Sequence, residues 1–409
     1  MAKIETSGLL VGLDIGTHSI KAVLGEVLDD GDINVLGVGN HLVKGMDKGG
    51  VNDLNLVSDA LKRAVEEMEL MADCRVSSAI LGISGRHIGC QNEHGMVPIN
   101  HNEVTQDDIV NVIHAARSVP IPADRRILHV LPQEYSVDVQ ENVKNPLGMS
   151  GVRMEANVHI ITCADDMAKN FIKCTDRCGI SIDSTVFSAL ASSHSILTED
   201  EKELGVCLVD IGAGTVDITI YADACVRYSA VIPIGGNQIT NDIAKIFRTP
   251  LNHAEQIKIS QACALKDLVS MEETINVPSV GGREDRSMSR HTLAEVIEPR
   301  FHEILELVYE HIRDSGLFEQ VAAGVVLTGG TSKMPGALEL AESIFSLPVR
   351  IGKPMNIKGL TDYVNDPTYA QVIGLLHYGK LETMENISPI RNTEEGIFHR
   401  IKAWFKGEF

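Results

Sequence analysis

Two stretches, one in each half of the chain, are near copies of each other. Residues 9–27 read LLVGLDIGTHSIKAVLGEV and residues 206–223 read VCLVDIGAGTVDITIYAD. Each is an apolar, strand-like run ending in Asp-Ile-Gly, then a short polar turn and a second alternating strand. Aligned on their aspartates, Asp14 matches Asp210, Gly16 matches Gly212 and Ser19 matches Thr215. Such a duplication predicts two lobes, each headed by one copy. Glycines in a turn of this kind let the backbone approach a phosphate, N–H groups and hydroxyls donate to it, and the aspartate suits a magnesium ion. A single copy would read equally well as a hairpin turn, because Asp and Gly are turn formers for purely local reasons.

A third segment favours the phosphate reading. Residues 324–336, GVVLTGGTSKMPG, form another buried-strand run that breaks at Gly329-Gly330 before a helix starts at Ala337. A glycine pair packs against a flat ring or a sugar that a side chain would exclude. The set, in this order, resembles the phosphate-1, phosphate-2 and adenosine motifs of the actin, Hsp70 and sugar-kinase superfamily. Within it the chain resembles the FtsA family of actin-like bacterial cell-division proteins. The stretches that carry this likeness are SGRHIGCQNEHGMVPI (84–99), GVRMEANVHIITC (151–163), LTEDEKELGVCLVDIGAGT (197–215), AEVIEPR (294–300) and LTDYVNDPTYAQVIGLLHYGK (360–380).

The resemblance implies an α/β, actin-like two-lobe ATPase fold, with a small subdomain inserted in the first lobe and a C-terminal amphipathic helix. It divides the chain into a first-lobe core (1–83 and 163–203), an inserted subdomain (84–162), a second-lobe core (204–240 and 311–380) and a helical insertion in that lobe (241–310). A polar linker (381–394) and a tail helix (395–409) follow. The residues agree locally. Leu56, Val57, Leu61, Val65 and Met68 recur at helical spacing, and Thr105 with Asp108 forms a capping-box pattern opening a helix inside the insertion.

ATP and Mg²⁺ are the implied cofactors. Asp14 and Asp210 would hold magnesium, through ordered waters because the ion gives up its hydration shell reluctantly. Gly16, Thr17 and His18 of the first turn, with Gly212, Ala213, Gly214 and Thr215 of the second, would cradle the phosphates. Gly235, Gly236 and Asn237 match a superfamily turn near the phosphates and ribose. Glu255 and Lys258 match an acidic-basic helix pair at the ribose and base, and Gly329, Gly330 and Thr331 would line the adenine side. His18 reads equally as a surface turn residue, and Glu255 with Lys258 as a simple i, i+3 pair. Hydrolysing members place Gln, Glu or Asp on the first interlobe connection to position the attacking water. Here that connection is VFSALASS (186–193), and Ser188 falls near the critical place. A serine is a poor base with a short reach, so slow hydrolysis is expected.

The tail, GIFHRIKAWFKGEF, carries a second pattern. On a helix Ile397, Phe398, Ile401, Trp404 and Phe405 fall within an arc of ~120°, with Arg400, Lys402 and Lys406 outside it. Trp404 is the only tryptophan, and the basic rim stands out in a chain of net charge −20. This is the pattern of an interfacial membrane helix, and it matches the membrane-targeting helix of the FtsA family. A terminal helix packing on its own protein is the plainer alternative. The acidic chain as a whole is a poor partner for nucleic acid, and its basic residues meet an anionic membrane surface only where they are concentrated.

No secretory signal pattern precedes the first strand, so a cytoplasmic protein is expected. The eight cysteines contain no C-x-x-C pair and read as free thiols. The family resemblance implies a filament-forming adaptor. It would tie the FtsZ ring to the inner face of the membrane at the septum, bind further copies of itself and help recruit later division proteins. The FtsZ contact is placed by that resemblance on 241–310, where Arg283, Arg286 and Arg290 could meet an acidic peptide. The alternative is a small-molecule kinase of the sugar-kinase branch, which needs a catalytic aspartate in the cleft and gives the tail no role.

Overall fold

The computed structural model describes residues 8–281 and 283–387, so the 395–409 stripe lies outside the described residues. The duplicated segments do head two lobes. In the first, a six-stranded sheet runs in the order Ser181–Phe187, Ser78–Ile83, Leu9–Ile15, Ser19–Val27, Ile33–Leu42, Ile357–Gly359. In the second, a five-stranded sheet runs Cys225–Ile232, Val216–Ala222, Val206–Ile211, Val325–Thr328, Val349–Ile351. Both place an antiparallel hairpin beside a parallel strand, so each aspartate sits at the end of an inner strand.

The Leu54–Ala72 helix covers the first sheet. Asp53 caps it by accepting from the Asn55 and Leu56 amides, and left-handed Asp73 ends it. Val57, Leu61, Val65 and Met68 are buried as their spacing predicts, whereas Leu56 is 46% exposed on the outer flank. The core of the second lobe gathers Val209, Ile218, Ile243, Ile297, Phe301 and Leu327 between its sheet and helices. The two lobes share apolar packing through the Ser188–Ile196 helix, where Val186 and Leu190 of the connection meet Val206 and Val326.

Two boundaries differ from the sequence expectation. Residues 357–380, assigned to the second lobe, return to the first. Ile357–Gly359 pairs in parallel with Ile33–Val35, and Val372, Ile373 and Leu376 bury against Val23, Val35 and Val38. The helix they belong to runs Ala370–Ile387, so 381–387 continue it instead of beginning a linker. Apolar residues at 372, 373, 375 and 376 fit either lobe's sheet, and only the topology decides between them.

The insertion folds around its own sheet, ordered Ile88–Pro98, Arg153–Ala164, Arg125–Val137, Gln140–Val143. Its Gln106–Arg117 helix opens on the Thr105–Asp108 capping box read from the sequence. It also reaches the second lobe. Gln133 Nε2 donates to the Val226 carbonyl at 2.8 Å, Asn92 Nδ2 to the Arg227 carbonyl at 3.1 Å, and Arg227 pairs with Glu134 at 3.1 Å. These bonds cap the open edge of the second sheet, whose carbonyls would otherwise lack partners.

The 241–310 segment is mostly helical, as expected, with a hairpin of Thr274–Val277 and Arg286–Ser289 added. Its arginines are not a free basic cluster. Arg286 donates to the Phe247 carbonyl, and Arg290 pairs with Glu273 at 2.6 Å.

Candidate functional site

The two Asp-Ile-Gly turns close in the same way. The Gly16 amide donates to the Ser19 carbonyl at 3.1 Å, and the Gly212 amide to the Thr215 carbonyl at 2.9 Å. They face each other between the lobes and touch. A methyl group on Gly214 would lie 2.5 Å from Thr17 Oγ1, so no other residue fits there without spreading the lobes. Around them lies a cavity of about 350 Å³. Asp14, Asp210, the turn residues 16–18 and 212–215, Ser188, Glu255, Lys258 and Gly329–Thr331 all line it.

Two predicted features take more definite roles here. Lys258 is buried and donates to the Glu255 carboxylate (2.8 Å), the Thr240 hydroxyl (2.9 Å) and the Gly236 carbonyl (3.1 Å). The pair is therefore part of the cavity wall and not a solvated i, i+3 contact. His18 leans across the mouth, its Nδ1 3.9 Å from Glu255 Oε1, and burial holds its imidazole below the ordinary range. At Gly329 φ is +84°, and a Cβ there would overlap the Asp210 carboxylate. The glycine pair thus leaves the aspartate open to the cavity.

Gly235, Gly236 and Asn237 do not line the cavity. The Gly236 amide donates to the Gly212 carbonyl (3.0 Å) and the Asn237 amide to the Ala213 carbonyl (2.8 Å). The segment braces the second turn from behind, with the Gly236 and Asn237 amides already used. Thr331 does part of the same work by donating its hydroxyl to the Gly212 carbonyl at 3.0 Å.

Among the lining and supporting residues that sequence reading missed are Lys21, Ser84, Ser192, Asp217 and Gln371. Lys21 Nζ lies 3.4 Å from Asp14 Oδ2 and 3.2 Å from Ser19 Oγ. Ser192 donates to Asp210 Oδ2 at 2.9 Å, and Ser84 of the first lobe donates to Asp217 of the second. A signal for two of them was present. Lys21 and Asp217 each stand seven residues past their aspartate, the cross-strand position once the turn closes. The others come together only through tertiary packing.

Electrostatically the floor is short of positive charge. Burial pushes Asp210 up to about 6, with the charge of Asp14 adding to it and the Ser192 hydrogen bond opposing. Burial, then the neighbouring Asp210, push Asp217 up to about 8. Asp14 is also raised by burial, which the Lys21 ammonium offsets. Three buried carboxylates beside one ammonium form a hard-oxygen hollow that a divalent cation would neutralise. Among the described residues no three His, Cys, Asp or Glu side chains converge on one metal position. A magnesium ion there would take its remaining ligands from water and phosphate, as that ion ordinarily does.

Family comparison agrees with the geometry. A family model described as cell division protein FtsA matches residues 207–374, and one described as the SHS2 domain inserted in FTSA matches residues 85–162. The chain is 50% identical over 420 residues to the cell division protein FtsA of Escherichia coli (strain K12), covering 100% of both chains. The chain belongs to the FtsA family. The family-specific insertion is thus the four-stranded unit that caps the second lobe. Among solved structures, the fold is similar to the PilM-PilN type IV pilus biogenesis complex, with a TM-score of 0.65 and 15% identity over 91% of this chain and 98% of that one. It is also similar to MreB5 of Spiroplasma citri bound to ADP, with a TM-score of 0.56 and 15% identity over 94% of this chain and 99% of that one. At such identities the likeness concerns the fold, which is the actin-like one. Among the described residues no helix is long and apolar enough to cross a membrane.

Proposed function

We propose that this FtsA-family chain is an ATP-binding, filament-forming adaptor that tethers the FtsZ ring to the inner face of the membrane at the division site. The observation that carries the nucleotide part is the pair of duplicated aspartate turns meeting across one cavity. Gly16, Thr17 and residues 212–215 hold the phosphates, Glu255 and Lys258 meet the ribose, and Gly329, Gly330 and Thr331 leave room for the adenine. Asp14 and Asp210 hold magnesium through water, with Asp217 beside them. Bound there, the ion neutralises phosphate charge. Around it Lys21 neutralises Asp14 and Ser192 orients Asp210.

Ser188 lies in the cavity at the start of its helix, buried and too short to act as a base. The site therefore serves as a switch whose nucleotide state sets the relation of the lobes, with slow turnover. The 395–409 stripe supplies membrane attachment by its sequence pattern, and copies aligned in a filament multiply that weak anchor. Contacts to FtsZ through 241–310, to further copies and to later division proteins rest on the family likeness. The kinase alternative asks for an aspartate in the cleft, which Asp217 would satisfy, and it is the full-length likeness to FtsA that favours the adaptor.

Co-sedimentation with anionic liposomes, with and without ATP and with and without residues 395–409, tests the adaptor. The full chain should pellet with the lipid, more strongly with ATP, and the shortened chain should stay in solution. Equal pelleting of both chains overturns membrane attachment through the tail.

A further inference from the structure

A glutamine in the cleft has no hydrogen-bond partner among the described residues. Gln371, the second residue of the Ala370–Ile387 helix, lines the cavity beside Asp14 and Ser84, and its carboxamide makes no hydrogen bond with any described residue. Its helix is firmly held. Ser195 donates to the Ala370 carbonyl at 2.6 Å, and the next two residues, Val372 and Ile373, are fully buried. Unlike a solvated glutamine at a surface, this amide is carried by a fixed backbone.

The sequence makes space for it. Gly82 is the parallel-strand partner of Asp14, and a Cβ on Gly82 would collide with Gln371 Nε2. Gly12, two residues before Asp14 and so on the same face of its strand, packs against the Val372 carbonyl and Leu375. Asp14 and the Gln371 amide therefore open onto the same wall of the cavity, with the bare Gly82 beside Asp14 and under the amide. The interlobe connection offers nothing of comparable reach, since Ser188 ends at its Oγ.

We propose that Gln371 is a positioning residue for the cation's water shell on the Asp14 side. A carboxamide suits this place because its Oε1 accepts from a polarised, cation-bound water while the group itself carries no charge. A carboxylate would add a fourth acid to the hollow. A hydrocarbon would strip the water layer that magnesium keeps. The proposal rests on the nucleotide reading of the cleft and goes beyond it by naming what orders the water there.

The test is calorimetric titration of ATP into the full chain, with excess Mg²⁺ and separately in EDTA, for the wild type, Gln371→Leu and Gly82→Ala. Leucine keeps the volume and removes both hydrogen-bonding groups, and Gly82→Ala displaces an unchanged amide. Both variants should bind Mg·ATP roughly fivefold more weakly, the scale of one lost hydrogen bond, and metal-free ATP as the wild type does. Equal weakening with and without magnesium would show a structural role and overturn the proposal, as would unchanged Mg·ATP affinity in Gln371→Leu. A wild type that takes no ATP under either condition removes the nucleotide reading itself, and the proposal with it.

Discussion

Lys21 and Asp217, a base and an acid, occupy the same position in the two lobes: each is the cross-strand partner of its lobe's cleft aspartate, Lys21 of Asp14 and Asp217 of Asp210. The duplication that builds the clamp is therefore electrically asymmetric. The first lobe carries its own counter-ion, and the second instead adds another buried acid, pushed up to about 8. Lys21→Met should leave the Asp14 carboxylate buried without its ammonium and lower stability by roughly 3 kcal/mol. Adding Asp14→Asn to that variant should recover most of the loss. Urea unfolding of the single and double variants measures this, and a single-variant loss near zero would show that the pair carries no stability.

Hydrolysis should be slow because Ser188 stands where a longer acceptor would be needed. Ser188→Gln should raise turnover with little change in ATP affinity, measured as phosphate release under saturating ATP. A wild-type kcat near ~10 s⁻¹, the median for enzymes, would contradict the switch reading.

Acid sensitivity should come partly from His129. This histidine is fully enclosed, its Nε2 accepts from the Phe187 amide at 3.0 Å, and burial lowers it to about 4. Its folded pKa lies below its unfolded one, so the unfolded chain binds the extra proton first. Stability therefore falls as pH drops from about 6.5 towards 4, by up to ~1.4 kcal/mol per pH unit from this group. His129→Gln presents a non-titrating acceptor to the same amide. Its melting temperature should fall less between pH 7 and pH 5 than the wild type's, and identical pH profiles would remove His129 from the account.

Membrane attachment should depend on the apolar stripe of the tail. Trp404→Glu puts a charge into that stripe and should release the chain from liposomes with ATP affinity unchanged. Changing Arg400, Lys402 and Lys406 together to Gln should weaken binding mainly to anionic lipid, at ~1 kcal/mol per basic residue. Full retention of Trp404→Glu on liposomes would mean that the stripe is not the anchor.

Much of this site was legible in the chain, and for a local reason. A turn that closes within six residues writes its motif in consecutive positions, so Asp14, Gly16, Asp210 and Gly212 could be placed before any coordinates. The capping box at Thr105 was legible in the same way. Residues brought in by packing were not. Gln371 reaches the cleft only because its helix returns to the first lobe, and Ser84 only because its strand ends beside Asp217. Gly235–Asn237 were placed in the right neighbourhood but on the wrong side of the turn, since a motif does not reveal which of its amides are already bonded.

The account stands most directly on nucleotide binding between the two turns. Calorimetry of Mg·ATP into the wild type, Asp210→Ala and Gly214→Val tests it, with thermal melts to confirm that each variant is folded. Saturable binding by the wild type, weakened at least tenfold in both variants (~1.4 kcal/mol or more), is the predicted result. No binding by the wild type, or wild-type affinity in a folded Gly214→Val whose new side chain must press on Thr17, would contradict it.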